Sequence, residues 1–219
     1  MKQLVKTHLD NGIQFISINR PEKKNCVNHE TAKQLISAFE AFNEDSRAKV
    51  AVFHGEGNTF CAGYDLSEVS KESYTEIESI FFDKYRYMGP SIMKIRKPLI
   101  CAIEGYAVAG GLELALMGFA MDMILTGRAV GSDEALQWGL VNRVVPDGKA
   151  VEEATSLARQ IANFPEACML ADRASVEYSL DHTQEEAFAY EFNSIRVLKE
   201  SVKGARKFIS NKKEGKSKI

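Results

Sequence analysis

The period of apolar and polar positions changes along the chain, and each change marks an element. Ile13-Gln14-Phe15-Ile16-Ser17-Ile18 alternates as a half-buried strand does, and a first strand begins almost at the N-terminus. Ala32, Leu35, Ile36, Phe39 and Phe42 recur three and four residues apart, which puts them on one face of a helix that Asn28 can cap. Val50 to His54 is a second β-prone run and ends in flexible residues. A less regular polar stretch, Ser67 to Glu78, leads into Ile80-Phe81-Phe82 and another helix. Leu99 to Ile103 is again β-prone, ends at Gly105 and passes through small residues into good helix formers. Leu112 to Leu125 reads as one nearly continuous helix with Glu113 and Asp122 its only charges. Such a helix must be buried on every side.

Beyond that point the pattern turns helical. Ser132 reads as the cap of a short helix with Glu134 in its first turn. Val151 to Asn163 is amphipathic, and Glu166 to Ser179 follows a proline. Thr183-Gln184-Glu185-Glu186 forms a capping box, opening a helix with Phe188, Phe192, Ile195 and Leu198 on one face. These elements predict an α/β core over residues 1–146 and a C-terminal helical region over 147–219.

Composition changes this picture little. A chain of 219 residues buries a sizeable core. Its net charge of -2 gives no reason to expect nucleic acid as a partner. No run is long enough to span a membrane, and no room is left for a cleaved presequence, so a cytoplasmic location is expected. The ending Ser217-Lys218-Ile219 differs by one residue from the S-K-L peroxisomal address, which keeps peroxisomes in view. Cys26, Cys61, Cys101 and Cys168 are widely spaced, as reduced thiols are, and Cys61 reads as a small buried residue rather than a nucleophile. His8, His29, His54 and His182 lack ligand spacing, so no metal is expected.

Two segments carry candidate chemistry. In the first, Gly110-Gly111 opens a helix after a strand, where N–H groups and the helix dipole can stabilise an oxygen that becomes negative. Glu113 lies in the first turn as an acid or base beside that site. A tight strand-to-helix connection would explain the same residues without any chemistry. The second segment, Gly55-Glu56-Gly57-Asn58-Thr59-Phe60-Cys61-Ala62-Gly63-Tyr64-Asp65-Leu66, also follows a strand and can supply a second amide. Two converging N–H donors form an oxyanion hole. A dinucleotide-binding turn is excluded, because Ala107-Val108-Ala109-Gly110-Gly111 lacks the G-x-G-x-x-G spacing.

At these residues the chain resembles the crotonase family, also called the enoyl-CoA hydratase/isomerase superfamily. The motifs are Asn19-Arg20-Pro21-Glu22-Lys23-Lys24-Asn25-Cys26-Val27-Asn28, Phe60 through Leu66, Gly105 through Leu116, and Met123 through Val130 running on to Gly139 through Pro146. They occur in the family's order between about Leu4 and Phe208. The resemblance implies a ββα spiral with a C-terminal helical region that joins subunits into trimers or hexamers. It implies an acyl-CoA substrate, with coenzyme A part of that substrate and no separate cofactor. By motif position, the thioester oxygen would meet the amides of Tyr64 and Gly110. Ala62 falls where the family's backbone meets the adenine, and by the same resemblance Gly63, Asp65 and Gly111 are expected to bind coenzyme A with it. Lys24 and Arg20 lie where basic groups can meet the phosphates, although Lys24 also reads as an ordinary solvated lysine. Glu113 matches the first of two carboxylates that hydratases use on water.

The chain also departs from the family. After Leu116-Met117-Gly118 the family continues through further strands and a helix, whereas here Phe119-Ala120 leads straight to Met121-Asp122-Met123. A few dozen residues are missing, among them the stretch that carries the second catalytic glutamate. An enoyl-CoA hydratase-like lyase is expected. The alternative is a catalytically impaired variant that serves as a non-catalytic partner subunit.

Overall fold

The computed structural model describes residues 3–69, 88–90, 93–108 and 127–192. The chain divides into two compact units, Met1–Arg159 and Gln160–Ile219. In the first, β1 (Val5–Asp10) and β2 (Ile13–Ile18) form an antiparallel hairpin. Its turn is Asn11-Gly12, both with positive φ, as a two-residue hairpin turn requires. β2 pairs in parallel with β3 (Val50–Gly55), and β3 in parallel with β4 (Leu99–Ala102), giving the order β1-β2-β3-β4.

The crossover from β2 to β3 is α1 (His29–Glu44), as the pattern predicts. The Asn28 carboxamide oxygen accepts from the Thr31 N–H at 2.9 Å, and Ala32, Leu35, Ile36, Phe39 and Phe42 are buried. Ala32, Leu35, Phe39 and Phe42 pack with Val5, Ile16 and Ile18 into one apolar core, and the Phe53 ring meets Phe39 and Phe60 edge to face. That core is the platform under the loops described below.

The C-terminus of α1 is closed by a residue that the pattern does not reveal. Lys97 is buried, and its Nζ donates to the carbonyls of Phe42 and Asp45 at 2.7 Å and of Ala48 at 2.9 Å. A cation here satisfies orphan carbonyls and complements the helix dipole. The contact also sets the start of β4 two residues later. Lys97→Met keeps an apolar stem but removes all three donors, together with the ammonium that lies 5.0 Å from the centre of the Phe42 ring. It is expected to lower stability by about 2–4 kcal/mol, read as a lower midpoint in denaturant unfolding.

Past β4, the Glu104 carboxylate accepts from the N–H groups of Gly148 at 3.0 Å and Ala150 at 2.8 Å, capping α4 (Ala150–Ala162) from outside it. Before it, α3 spans Ser132–Gln137. Here the sequence reading needs a correction. The cap position is Gly131, in extended conformation, and Ser132 is already helical with no cap bond of its own. Glu134 lies in the first turn, as expected, and takes the Arg128 guanidinium in two bonds of 2.8 and 3.1 Å.

In the second unit α5 spans Glu166–Ser179, the bounds read from the pattern, and α6 spans Gln184–Phe192. The expected capping box is present. Thr183 N–H donates to the Glu186 carboxylate at 2.9 Å, and Glu186 N–H returns to the Thr183 hydroxyl at 3.3 Å. The predicted helices over Ile80–Phe82 and Leu112–Leu125, and the positions Ile195 and Leu198, lie outside the described residues. No described helix is long and apolar enough to cross a membrane.

Candidate active site

Three stretches of chain meet above the C-terminal ends of the parallel strands: the turn after β2, the loop after β3 and the segment after β4. Asn25 welds the first two. It is fully buried with φ 54°, a left-handed conformation that asparagine tolerates better than most residues. Its carboxamide nitrogen donates to the carbonyls of Glu56 at 2.9 Å and Thr59 at 2.6 Å, and its oxygen accepts from the Arg20 N–H at 2.9 Å. The loop after β3 also folds over Gly55 and Gly105. A Cβ at Gly55 would strike the carbonyls of Thr59 and Phe60, and one at Gly105 would strike that of Asn58.

The segment after β4 joins the same loop. Phe60 N–H donates to Glu104 O at 2.7 Å and Cys61 N–H to Tyr106 O at 3.0 Å, while Val108 N–H donates to Cys61 O at 3.2 Å. Gly110, Gly111 and Glu113 follow shortly after Val108 and lie outside the described residues. Burial pushes the Cys61 thiol above its ordinary pKa, so Cys61 packs rather than attacks.

Tyr64 lies three residues further along this loop. Val27 N–H donates to Gly63 O at 2.8 Å, and Asp65 N–H donates to Val27 O at 2.8 Å, so Val27 and Tyr64 pair as parallel strand residues do. The carbonyl of Gly63 and the N–H of Tyr64 belong to one planar trans peptide and point in opposite directions. Because that carbonyl faces Val27, the Tyr64 N–H is turned to the other side. Its phenol donates to a Glu68 oxygen at 3.1 Å, and the same oxygen accepts from the His29 N–H at the start of α1. α2 (Leu66–Val69) carries Glu68.

Other predicted positions separate by role. Ala62 gives its N–H to Lys24 O at 3.0 Å. Gly63 has φ 88°, a conformation natural only to glycine. Lys24 is exposed, with its Nζ 5.5 Å from the centre of the Tyr106 ring. Arg20, expected to reach phosphates, is instead buried. Its guanidinium is held 2.8 Å from an Asp65 oxygen and bonds the Cys26 carbonyl, because a buried cation requires such partners.

The other Asp65 oxygen accepts from the hydroxyl and N–H of Ser67. The Ser67 hydroxyl, with help from Arg20, lowers the Asp65 carboxyl to about 2. The stabilisation this carries is complete above the unfolded carboxyl range near pH 4 and is lost as pH falls toward about 2.

Comparison with known proteins now decides the family. The enoyl-CoA hydratase/isomerase family model matches residues 8–119 and 117–214. The chain belongs to the enoyl-CoA hydratase/isomerase family. It is 28% identical to a protein described as "Probable enoyl-CoA hydratase" from Rhizobium meliloti, over 92% of this chain and 93% of that one. It is 28% identical to the carnitinyl-CoA dehydratase of Escherichia coli K12, with 82% of each covered. The crystal structure of enoyl-CoA hydratase EchA1 from Mycobacterium marinum superposes with a TM-score of 0.83 at 26% identity, covering 96% of this chain and 97% of that one. The crotonase-like α/β fold follows from these matches.

The same matches bear on the missing segment. The two matched stretches meet at residues 117–119, where the sequence shows its departure from the family. The alignment to the Rhizobium protein runs over 243 residues but takes in 92% of a 219-residue chain. About 40 positions of that relative therefore have no counterpart here.

Proposed function

We propose that this member of the family is an enoyl-CoA hydratase-type lyase that adds water to an unsaturated acyl-CoA thioester. Hydroxide character develops on water as a carboxylate takes its proton, and the hydroxyl adds to C3. The electron pair moves through C2 to the thioester oxygen. An enolate forms there, and two N–H donors are worth several kcal/mol to it. We assign those donors to Tyr64 and Gly110. Glu113 takes the proton from water and returns it to C2, so both parts of the water end on the product.

The surrounding positions suit the rest of such a substrate. The Ala62 carbonyl is an acceptor for the amino group of adenine, and exposed Lys24 is a cation for the phosphates. Gly63, Asp65 and Gly111 complete the positions we assign to coenzyme A. The reading includes fatty or related acyl-CoA metabolism, a trimeric or hexameric assembly, and no cofactor besides the coenzyme A of the substrate.

One observation supports this reading above the others. The Gly63–Tyr64 peptide is pinned by Val27 so that the Tyr64 N–H faces away from Val27, in the loop joined to the segment that leads to Gly110. The test is a turnover assay with purified protein and enoyl-CoA thioesters of short and medium chain, following loss of the conjugated absorbance. Saturable hydration of at least one thioester is expected. A folded protein that hydrates none of them contradicts the reading.

A further inference from the structure

Arg20 is the one cation of the first motif that turns inward, and nothing in the hydration chemistry uses it directly. Its guanidinium bonds two backbone stretches at once: the Cys26 carbonyl on one side and the Asp65 carboxylate on the other. Those stretches are the ones that pair through Val27 and Tyr64. Residues 26–27 and 63–65 are far apart in sequence and share two backbone hydrogen bonds, beside which the Ala62 bond to Lys24 and the Asn25 bonds tie only the neighbouring positions. The fork geometry of arginine suits a strap across such a pair. A second strap runs from the Tyr64 phenol through Glu68 to the first amide of α1.

We propose that Arg20 and Asp65 are positioning residues that hold Val27 against Tyr64, and so fix the direction in which the Tyr64 N–H points. This deepens the reading above and rests on it. The Tyr64 N–H takes its direction from its own peptide plane, and that plane is held by the bond from Val27 to Gly63. Loosening the strap lets the plane rotate without removing the donor. A misplacement of about 1 Å is enough to cost a large factor in rate. The two groups proposed to touch the adenine and the phosphates, the Ala62 carbonyl and the Lys24 ammonium, lie outside this plane.

The test uses Arg20→Lys, which keeps the charge but loses the fork, and Asp65→Asn, which keeps the shape but loses the charge. Two readouts are needed. In steady-state kinetics, each folded variant should lose roughly 10–100-fold in kcat with KM for the enoyl-CoA within about twofold. In amide exchange, the Val27 and Asp65 N–H groups should exchange at least about tenfold faster in the variants. The β2 amides at Phe15 and Ile16 should be unchanged. A purely structural role would lower the melting temperature while leaving kcat per folded molecule intact.

Unchanged kcat with unchanged exchange at Val27 and Asp65 overturns the proposal. If the unaltered chain shows no turnover, the hydratase reading fails, and the exchange pattern alone still decides whether the strap exists. Should one variant fail to fold, the other carries the same two readouts.

Discussion

Asn25→Asp should lower stability by about 3–5 kcal/mol at pH 7 and abolish turnover with it. The change is nearly isosteric, so no cavity forms. It replaces two N–H donors with an oxygen, facing the Glu56 and Thr59 carbonyls at 2.9 and 2.6 Å in a fully buried site. A charge there keeps only the Arg20 N–H as a partner, and the two carbonyls lose theirs. The pH dependence gives the mechanism away. The folded variant holds its proton to a higher pH than the unfolded chain does, so it loses stability as pH rises from about 4 to 7. Asn25→Ala also destabilises, but without that slope. Denaturant midpoints at several pH values separate the two. A variant whose midpoint matches the parent at pH 7 would mean that Asn25 does not weld the loops.

Glu113→Gln carries the second large effect. Glutamine keeps the shape and can still hydrogen-bond water, but it cannot take a proton. A fall in kcat of about 10²–10⁴-fold is expected, with affinity for the thioester nearly intact. The shortened core sharpens the argument. About 40 positions present in a relative have no counterpart here, and the sequence offers no second carboxylate in their place. On the proposed mechanism, proton removal and return then both fall on Glu113. Stopped assays for kcat and calorimetric binding of the thioester read the two effects separately. Equal turnover in both proteins would remove Glu113 from the mechanism.

What the sequence discloses, and what it hides, follows from the distance over which each signal acts. α1 is legible because its cap and its apolar face lie within one stretch, Asn28 to Phe42, and α5 because Pro165 marks its start. The capping box at Thr183–Glu186 is likewise local. At Ser132 the reading slips by one residue, since Gly131 takes the cap position without any side-chain signature. Asn25, Arg20, Lys97 and Glu104 escape for a different reason. Their partners are Thr59, Asp65, Phe42 and Ala150, each more than thirty residues away. Nothing local distinguishes an arginine that braces a loop from one that meets a phosphate. Only the fold brings Asp65 to Arg20 and so settles which it is.

The central claim is that two backbone amides polarise a bound thioester carbonyl, and spectroscopy of a bound conjugated enoyl-CoA tests it without requiring turnover. Dienoyl-CoA is titrated into the protein while its absorption band and carbonyl stretch are followed. Binding should move the band to longer wavelength and lower the stretching frequency, as electron density shifts toward an oxygen held by two donors. In folded Gly110→Pro, which lacks one N–H, the ligand should still bind through its coenzyme A portion while most of the shift is lost. A bound dienoyl-CoA with an unshifted band in the unaltered protein would contradict the account.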